Sequence, residues 1–148
     1  MGTTPGNRSY NTGSGSPNER GSDEAYEQAS TDKLLRKVLL VDDETDGAEF
    51  AAELLRGNGL KVLVAHSAHQ ALQVLHDDGE IDAVVADVMM PRMNGFELAE
   101  AIRVMYPAVK VVLMSGYVMP ELREGREHHY LFAEKPCRID TIIRLLRS

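Results

Sequence analysis

VLLVDDE (38–44) puts four aliphatic residues in a row directly before two adjacent carboxylates, Asp42 and Asp43. An apolar run without polar alternation is the pattern of a strand covered on both faces, as in a parallel sheet. The figure recurs. AVVA (83–86) stops at Asp87, VVLM (111–114) at Ser115, and LFA (131–133), one residue late, at Lys135. In a parallel sheet all these ends lie on one edge, where ligands bind in open α/β folds. Three carboxylates, a hydroxyl and an ammonium would converge there, a donor set suited to Mg2+ and a phosphoryl group.

Between these runs the spacing turns helical. Phe50, Ala51, Leu54 and Leu55 form a stripe that predicts a first helix, ended by Gly57-Asn58-Gly59. Lys61 to Ala65 reads as a second strand. Ser67 is an N-cap for a helix with Ala68, Ala71, Leu72 and Leu75 on one face, closed by Asp77-Asp78-Gly79. A third helix carries Leu98, Ala101, Ile102 and Met105, and the last places Ile139, Ile142, Ile143 and Leu146 at i, i+3, i+4 and i+7. The fourth is weak. Pro120 suits its first position and Glu121 and Glu124 its positive end, but Gly125 sits mid-segment and few apolar anchors precede His128-His129. Five strands and five helices in strict alternation mean an α/β fold: a five-stranded parallel sheet, right-handed crossovers, and helices on both faces.

Residues 1–33 differ in kind. The stretch is rich in Gly, Ser, Asn and Thr and lacks apolar periodicity, so it is expected to be a disordered N-terminal tail or linker before a domain at 34–148. With only 5% aromatic residues the core must be aliphatic. The net charge of −7 speaks against non-specific binding to nucleic acid or to an anionic membrane. The single cysteine, Cys137, excludes an internal disulfide and reads as a small buried residue. With no apolar segment long enough for a bilayer and no signal peptide, a cytoplasmic location is expected.

The residues alone leave alternatives open. Asp42-Asp43 can be a solvated turn or a Mg2+ site, in which one acid works through water. Asp87 can cap a helix, ligate a metal or act as the nucleophile that forms an acyl phosphate. Near such a phosphate, Ser115 can bond one oxygen and Lys135 can neutralise another. No base for an attacking water is evident. The histidines at 66, 69, 76, 128 and 129 match no zinc spacing and are expected to be surface or helix-end residues, and none lies in a kinase-like phosphorylation box.

The chain resembles the receiver domain of two-component response regulators over roughly residues 36–148. The likeness rests on VLLVDDE (38–44), ADVMMPRMNGFEL (86–98), VLMSGY (112–117) and EKP (134–136), in that order and spacing. It implies a flavodoxin-like doubly wound (βα)5 fold with strand order 2-1-3-4-5. Asp87 would be the phosphoacceptor. Asp43 would ligate Mg2+ directly, Asp42 mostly through water, and Met89 through its backbone carbonyl. Ser115 would be the switch hydroxyl, Lys135 the salt-bridge partner of the phosphate, and Phe132 the switch aromatic. The Lys135–Pro136 bond would be cis.

Several expectations about function follow from the likeness. The donor would be a histidine kinase or a histidine phosphotransfer protein. The signal would leave by the face of the fourth helix, fifth strand and fifth helix toward an output protein, with the marginal fourth helix as the bistable element. The module would not be an enzyme acting on outside substrates, but would assist its own phosphorylation and dephosphorylation. Bulky Met89 and Tyr117 would hinder the attacking water. A monomer or weak dimer is expected, either a stand-alone receiver or the receiver of a hybrid kinase. The alternative is a receiver-like binding module indifferent to phosphorylation. An aspartate-nucleophile phosphatase is disfavoured, because its second acid would stand two residues after the first.

Overall fold

Each aliphatic run becomes a strand in the computed structural model, which describes residues 34–116, 130–136 and 138–148. The elements are β1 (Lys37–Val41), α1 (Thr45–Arg56), β2 (Lys61–Ala65), α2 (Ala68–Asp77), β3 (Ala83–Asp87), α3 (Gly95–Met105), β4 (Lys110–Ser115), β5 (Leu131–Glu134) and α4 (Ile139–Leu146). The strands form one sheet in the order β2-β1-β3-β4-β5, and every neighbouring pair is parallel. This is the doubly wound order that the sequence motifs imply. Among the described residues there are four helices; the fourth predicted helix lies outside them, and α4 is the fifth. The expected tail at 1–33, Tyr117, His128, His129 and Cys137 also lie outside them.

The strands alternate their side chains between two aliphatic layers. Leu39, Val41, Val84, Ala86 and Leu113 pack with Ala71 and Leu75 of α2 and with Phe96, Leu98 and Ile102 of α3. Val38, Leu40, Ala83, Val85, Val112 and Met114 pack with Ala48, Ala52 and Leu55 of α1 and with Ile142 and Leu146 of α4. Val38 to Val41 and Ala83 to Ala86 are wholly buried. A fully buried Val or Leu contributes about 1.5–3 kcal/mol, so these two central strands anchor the fold.

Two predicted helix faces are rotated. α1 buries Ala48, Ala52 and Leu55, while Phe50 is 68% and Leu54 is 41% exposed. The expected stripe at 50, 51, 54 and 55 shares only its edge with the true one. At 100° per residue Phe50 stands roughly 200° from Ala48. Two apolar pairs at i, i+4 compete on this helix, and the alanine side lets the helix approach the sheet closely. α3 likewise buries Phe96, Leu98, Ala99 and Ile102 and leaves Met105 exposed, because contact with the sheet runs through Ala99 instead of Ala101. α2 starts as expected, with the Ser67 hydroxyl accepting from the Gln70 N–H at 3.0 Å. A capping box that the sequence reading did not anticipate starts α3. The Asn94 side chain accepts from the Glu97 N–H and the Glu97 carboxylate from the Asn94 N–H, both at 2.9 Å.

At the opposite, amino-terminal edge of the sheet, the Asp82 carboxylate accepts from the Arg36 and Lys37 N–H groups, both at 2.9 Å. Lys37 bonds Asp78 at 2.8 Å. The charges at this edge tie strands together, which leaves the carboxyl edge free for chemistry. Among the described residues no helix is long and apolar enough to cross a membrane.

Candidate functional site

The carboxyl edge gathers the expected residues. β1 delivers Asp42 and Asp43, and β3 ends in Asp87. Each of the three offers a carboxylate oxygen, and these oxygens lie within 4.8 Å of one another. Asp42 and Asp87 are buried and Asp43 is exposed. β5 delivers Lys135, whose Nζ donates to Asp87 Oδ2 at 2.9 Å. The Met89 N–H donates to Asp87 Oδ1 at 3.2 Å. Each oxygen of Asp87 therefore has a donor from a different loop. The Lys135–Pro136 bond is cis.

Asp42 is tethered at three points. Its N–H donates to the Ala65 carbonyl at 3.0 Å, extending the β1–β2 ladder by one rung. Its Oδ1 accepts from the Glu44 N–H at 3.0 Å. Its carbonyl accepts from His66 Nδ1 at 3.1 Å. Burial raises the Asp42 carboxyl above the usual carboxylate range, and the neighbouring Asp87 and Asp43 carboxylates push the same way; the Glu44 N–H and the Lys135 ammonium oppose them. Among the described residues three acids face one ammonium, an excess of negative charge that a cation would relieve.

The donor set suits Mg2+. It is all oxygen, without the nitrogen or sulfur that zinc prefers. Opposite ligands of a Mg2+ ion stand about 4.2 Å apart, so oxygens spread over 4.8 Å fit a mixture of direct and water-mediated ligation.

Ser115 ends β4. It is fully buried, and its Oγ has no hydrogen-bond partner among the described residues. Its carbonyl accepts from the Lys135 N–H at 2.8 Å, so β4 and β5 stay joined at the rung beside the site. An unpaired buried hydroxyl costs stability and calls for an explanation.

Phe132 is half-buried, with its ring 6.0 Å from that of Phe96 at 65°. Phe96 in turn meets Tyr130 at 6.4 Å. The Tyr130 hydroxyl donates to Glu100 Oε1 at 2.9 Å, and Arg103 bonds the same carboxylate. Burial, then the Glu100 carboxylate, raise the Tyr130 hydroxyl above its ordinary value. A chain of aromatic contacts thus runs from β5 to a charged cluster on α3.

Two residues of the site were given no part in it from the sequence. Gly95 opens α3 against the loop after β3: its N–H donates to the Val88 carbonyl at 2.8 Å, and a Cβ there would stand 2.5 Å from the Asp87 carbonyl oxygen. His66 follows β2 at the same edge as the acids, and that position was its only signal. Met89, by contrast, was expected at the site; its side chain is 56% exposed.

The family model for the response regulator receiver domain matches residues 38–147. The transcriptional regulatory protein CpxR of Escherichia coli is 44% identical over 69 residues, which cover 47% of this chain and 29% of that protein. A response regulator receiver protein of Anaeromyxobacter is 32% identical over 113 residues, 75% of this chain and 47% of that one. This chain therefore spans less than half the length of either relative. The chemotaxis response regulator CheY4 of Vibrio cholerae superposes with a TM-score of 0.66 at 27% identity, covering 76% of this chain and 97% of that structure.

Proposed function

From a chain that belongs to the response regulator receiver domain family, we propose a module switched by phosphorylation of Asp87. An Asp87 carboxylate oxygen attacks the phosphorus of a phosphohistidine on a histidine kinase or phosphotransfer protein. A P–O bond forms, the P–N bond breaks, and the imidazole leaves with its electron pair and takes up a proton. Asp42, Asp43, Asp87 and the Met89 carbonyl would hold Mg2+, whose charge, when bound, offsets the repulsion between the acid cluster and the incoming phosphoryl group. Lys135, now on Asp87 Oδ2, transfers its bond to a phosphoryl oxygen. Ser115 gains a partner that its hydroxyl lacks among the described residues.

The observation that carries this reading is the convergence on Asp87: two further carboxylates within 4.8 Å and one ammonium at 2.9 Å, brought by β1, β3 and β5. The output would leave by the face of β5 and α4, together with the fourth predicted helix, toward an output protein, with Phe132 repacking against Phe96. Bulky Met89 and Tyr117 would slow the attacking water. On this reading the module is cytoplasmic, the folded part is 34–148, and 1–33 is a tail or linker.

Phosphotransfer from candidate histidine kinases, with Asp87→Asn as control, tests the proposal. Labelling of the wild type that is lost in the variant is the expected result. Labelling that persists in Asp87→Asn overturns it.

A further inference from the structure

We propose that His66 is a positioning residue for the acid pair, acting through the Asp42 backbone; the inference rests on the Mg2+ reading of the site. Asp42 stands in a cluster of three carboxylates that repel one another, so its place must be enforced by the chain. β2 and the residue that follows it supply two of its three tethers, the Ala65 carbonyl and His66 Nδ1. The Ala65 bond merely prolongs the ladder. The His66 bond holds the carbonyl side of Asp42, where the chain leaves the sheet for Asp43.

The chemistry of that bond assigns the proton. A carbonyl oxygen accepts only, so His66 Nδ1 must carry a hydrogen. In the neutral ring this is the Nδ1–H tautomer, which a free imidazole side chain disfavours. The backbone that carries the ring is itself held in place. The His66 backbone N–H donates to Gln70 Oε1 at 2.7 Å, and α2, which carries Gln70, is fixed by its Ser67 cap. The acid pair thus inherits its position from the start of α2. Groups that orient a metal ligand commonly matter by about 10–100-fold in affinity.

The test is Mg2+ titration of the full chain and of His66→Ala, His66→Asn and His66→Gln, with His69→Ala as an exposed control. The amide of asparagine reaches the place of Nδ1, that of glutamine the place of Nε2. His66→Ala should weaken Mg2+ binding by about tenfold, the low end for such orienting groups. His66→Asn should recover most of that loss and His66→Gln should not, with His69→Ala unchanged. Nitrogen shifts of the neutral His66 ring should report the Nδ1–H tautomer. Unchanged affinity in His66→Ala, equal loss in His66→Asn, or an Nε2–H tautomer overturns the positioning role while leaving the receiver site intact. A wild-type chain that binds no Mg2+ overturns the site reading itself, and the role of His66 with it.

Discussion

Replacing Ser115 by alanine should make the resting protein no less stable, although the residue is wholly buried. Ser115 Oγ has no partner among the described residues. Leaving a hydroxyl buried and unpaired costs about 1–3 kcal/mol on mutational scales. Alanine removes that penalty and gives up only the packing of one oxygen, a handful of contacts at about 0.1–0.2 kcal/mol each. The balance runs from neutral to about 2 kcal/mol in favour of Ser115→Ala. The backbone bond from Lys135 to the Ser115 carbonyl is untouched, so the β4–β5 rung survives the substitution.

The sign should reverse when the site is charged. With Mg2+ and beryllofluoride, a phosphoryl mimic, the wild-type hydroxyl acquires an anionic acceptor, and a hydrogen bond to a charged group contributes about 1.5–3 kcal/mol. The wild type should therefore gain more stability from the mimic than Ser115→Ala does, by at least about 1 kcal/mol. Urea unfolding of both proteins, in EDTA and in Mg2+ with beryllofluoride, reads all four values. A Ser115→Ala variant that is more than about 1 kcal/mol less stable than wild type in EDTA would falsify the claim that the hydroxyl is unpaired. An equal gain from the mimic in both proteins would show that Ser115 does not serve the phosphoryl group.

Three further outcomes are expected. The folded Asp42 carboxyl titrates above its ordinary value of 3.8, so the native state holds that proton more tightly than the unfolded chain. Its contribution to stability is present at low pH and is lost as pH rises through the window above 3.8. In EDTA, Asp42→Asn should flatten that slope and melt higher than wild type at neutral pH, whereas in excess Mg2+ the order should invert; melting curves that keep one order in both buffers would refute the cluster's role. Gly95→Ala brings a Cβ to 2.5 Å from the Asp87 carbonyl oxygen and 2.7 Å from Val88 Cα. Neither backbone atom can yield cheaply, so a loss of about 1–3 kcal/mol in urea unfolding is expected, with weaker Mg2+ binding. Arg92 holds φ at 69°, where a residue with a Cβ is strained. Arg92→Asn should stabilise by up to about 1 kcal/mol, and a destabilised variant would mean that the arginine side chain makes a compensating contact.

The strand ends were legible because nothing competes with the reading of a wholly apolar run. Ala83 to Ala86 has no polar face to misplace, and its termination at Asp87 needs no knowledge of packing. Helix faces were less legible. On α1 both Phe50/Leu54 and Ala48/Ala52 recur at i, i+4, and hydrophobicity favours the larger pair, whereas the sheet accepts the smaller. The sequence pattern named Asp42 but not what holds it. His66 lies 24 residues away, and its bond depends on the register of β1 against β2, Val41 opposite Ala65. Whether a hydroxyl such as that of Ser115 is paired is likewise a property of its surroundings and not of its neighbours in the chain.

The pleat explains how such a site can signal. Along β3, Asp87 falls in the same alternation as Ala83 and Val85, which face α1 and α4. Along β4, Ser115 falls with Val111 and Leu113, which face α2 and α3. Asp87 and Ser115 therefore belong to opposite faces of one sheet and can meet only over its edge. A hydroxyl that turns toward a phosphoryl group on Asp87 must leave the α2 and α3 side. On that side the β4–β5 register sets Leu113 beside Phe132 and Ser115 beside Glu134, so Phe132 lies one diagonal step from Ser115. Phe132 already rests on Phe96, and through it on Tyr130 and Glu100. Space released by the hydroxyl would thus open next to a ring that connects the edge with the surface of α3. On the proposed reading the covalent event would stay on the α1 and α4 side of the sheet, while the repacking of Phe132 would fall on the α2 and α3 side of β5, the edge strand of the proposed output face.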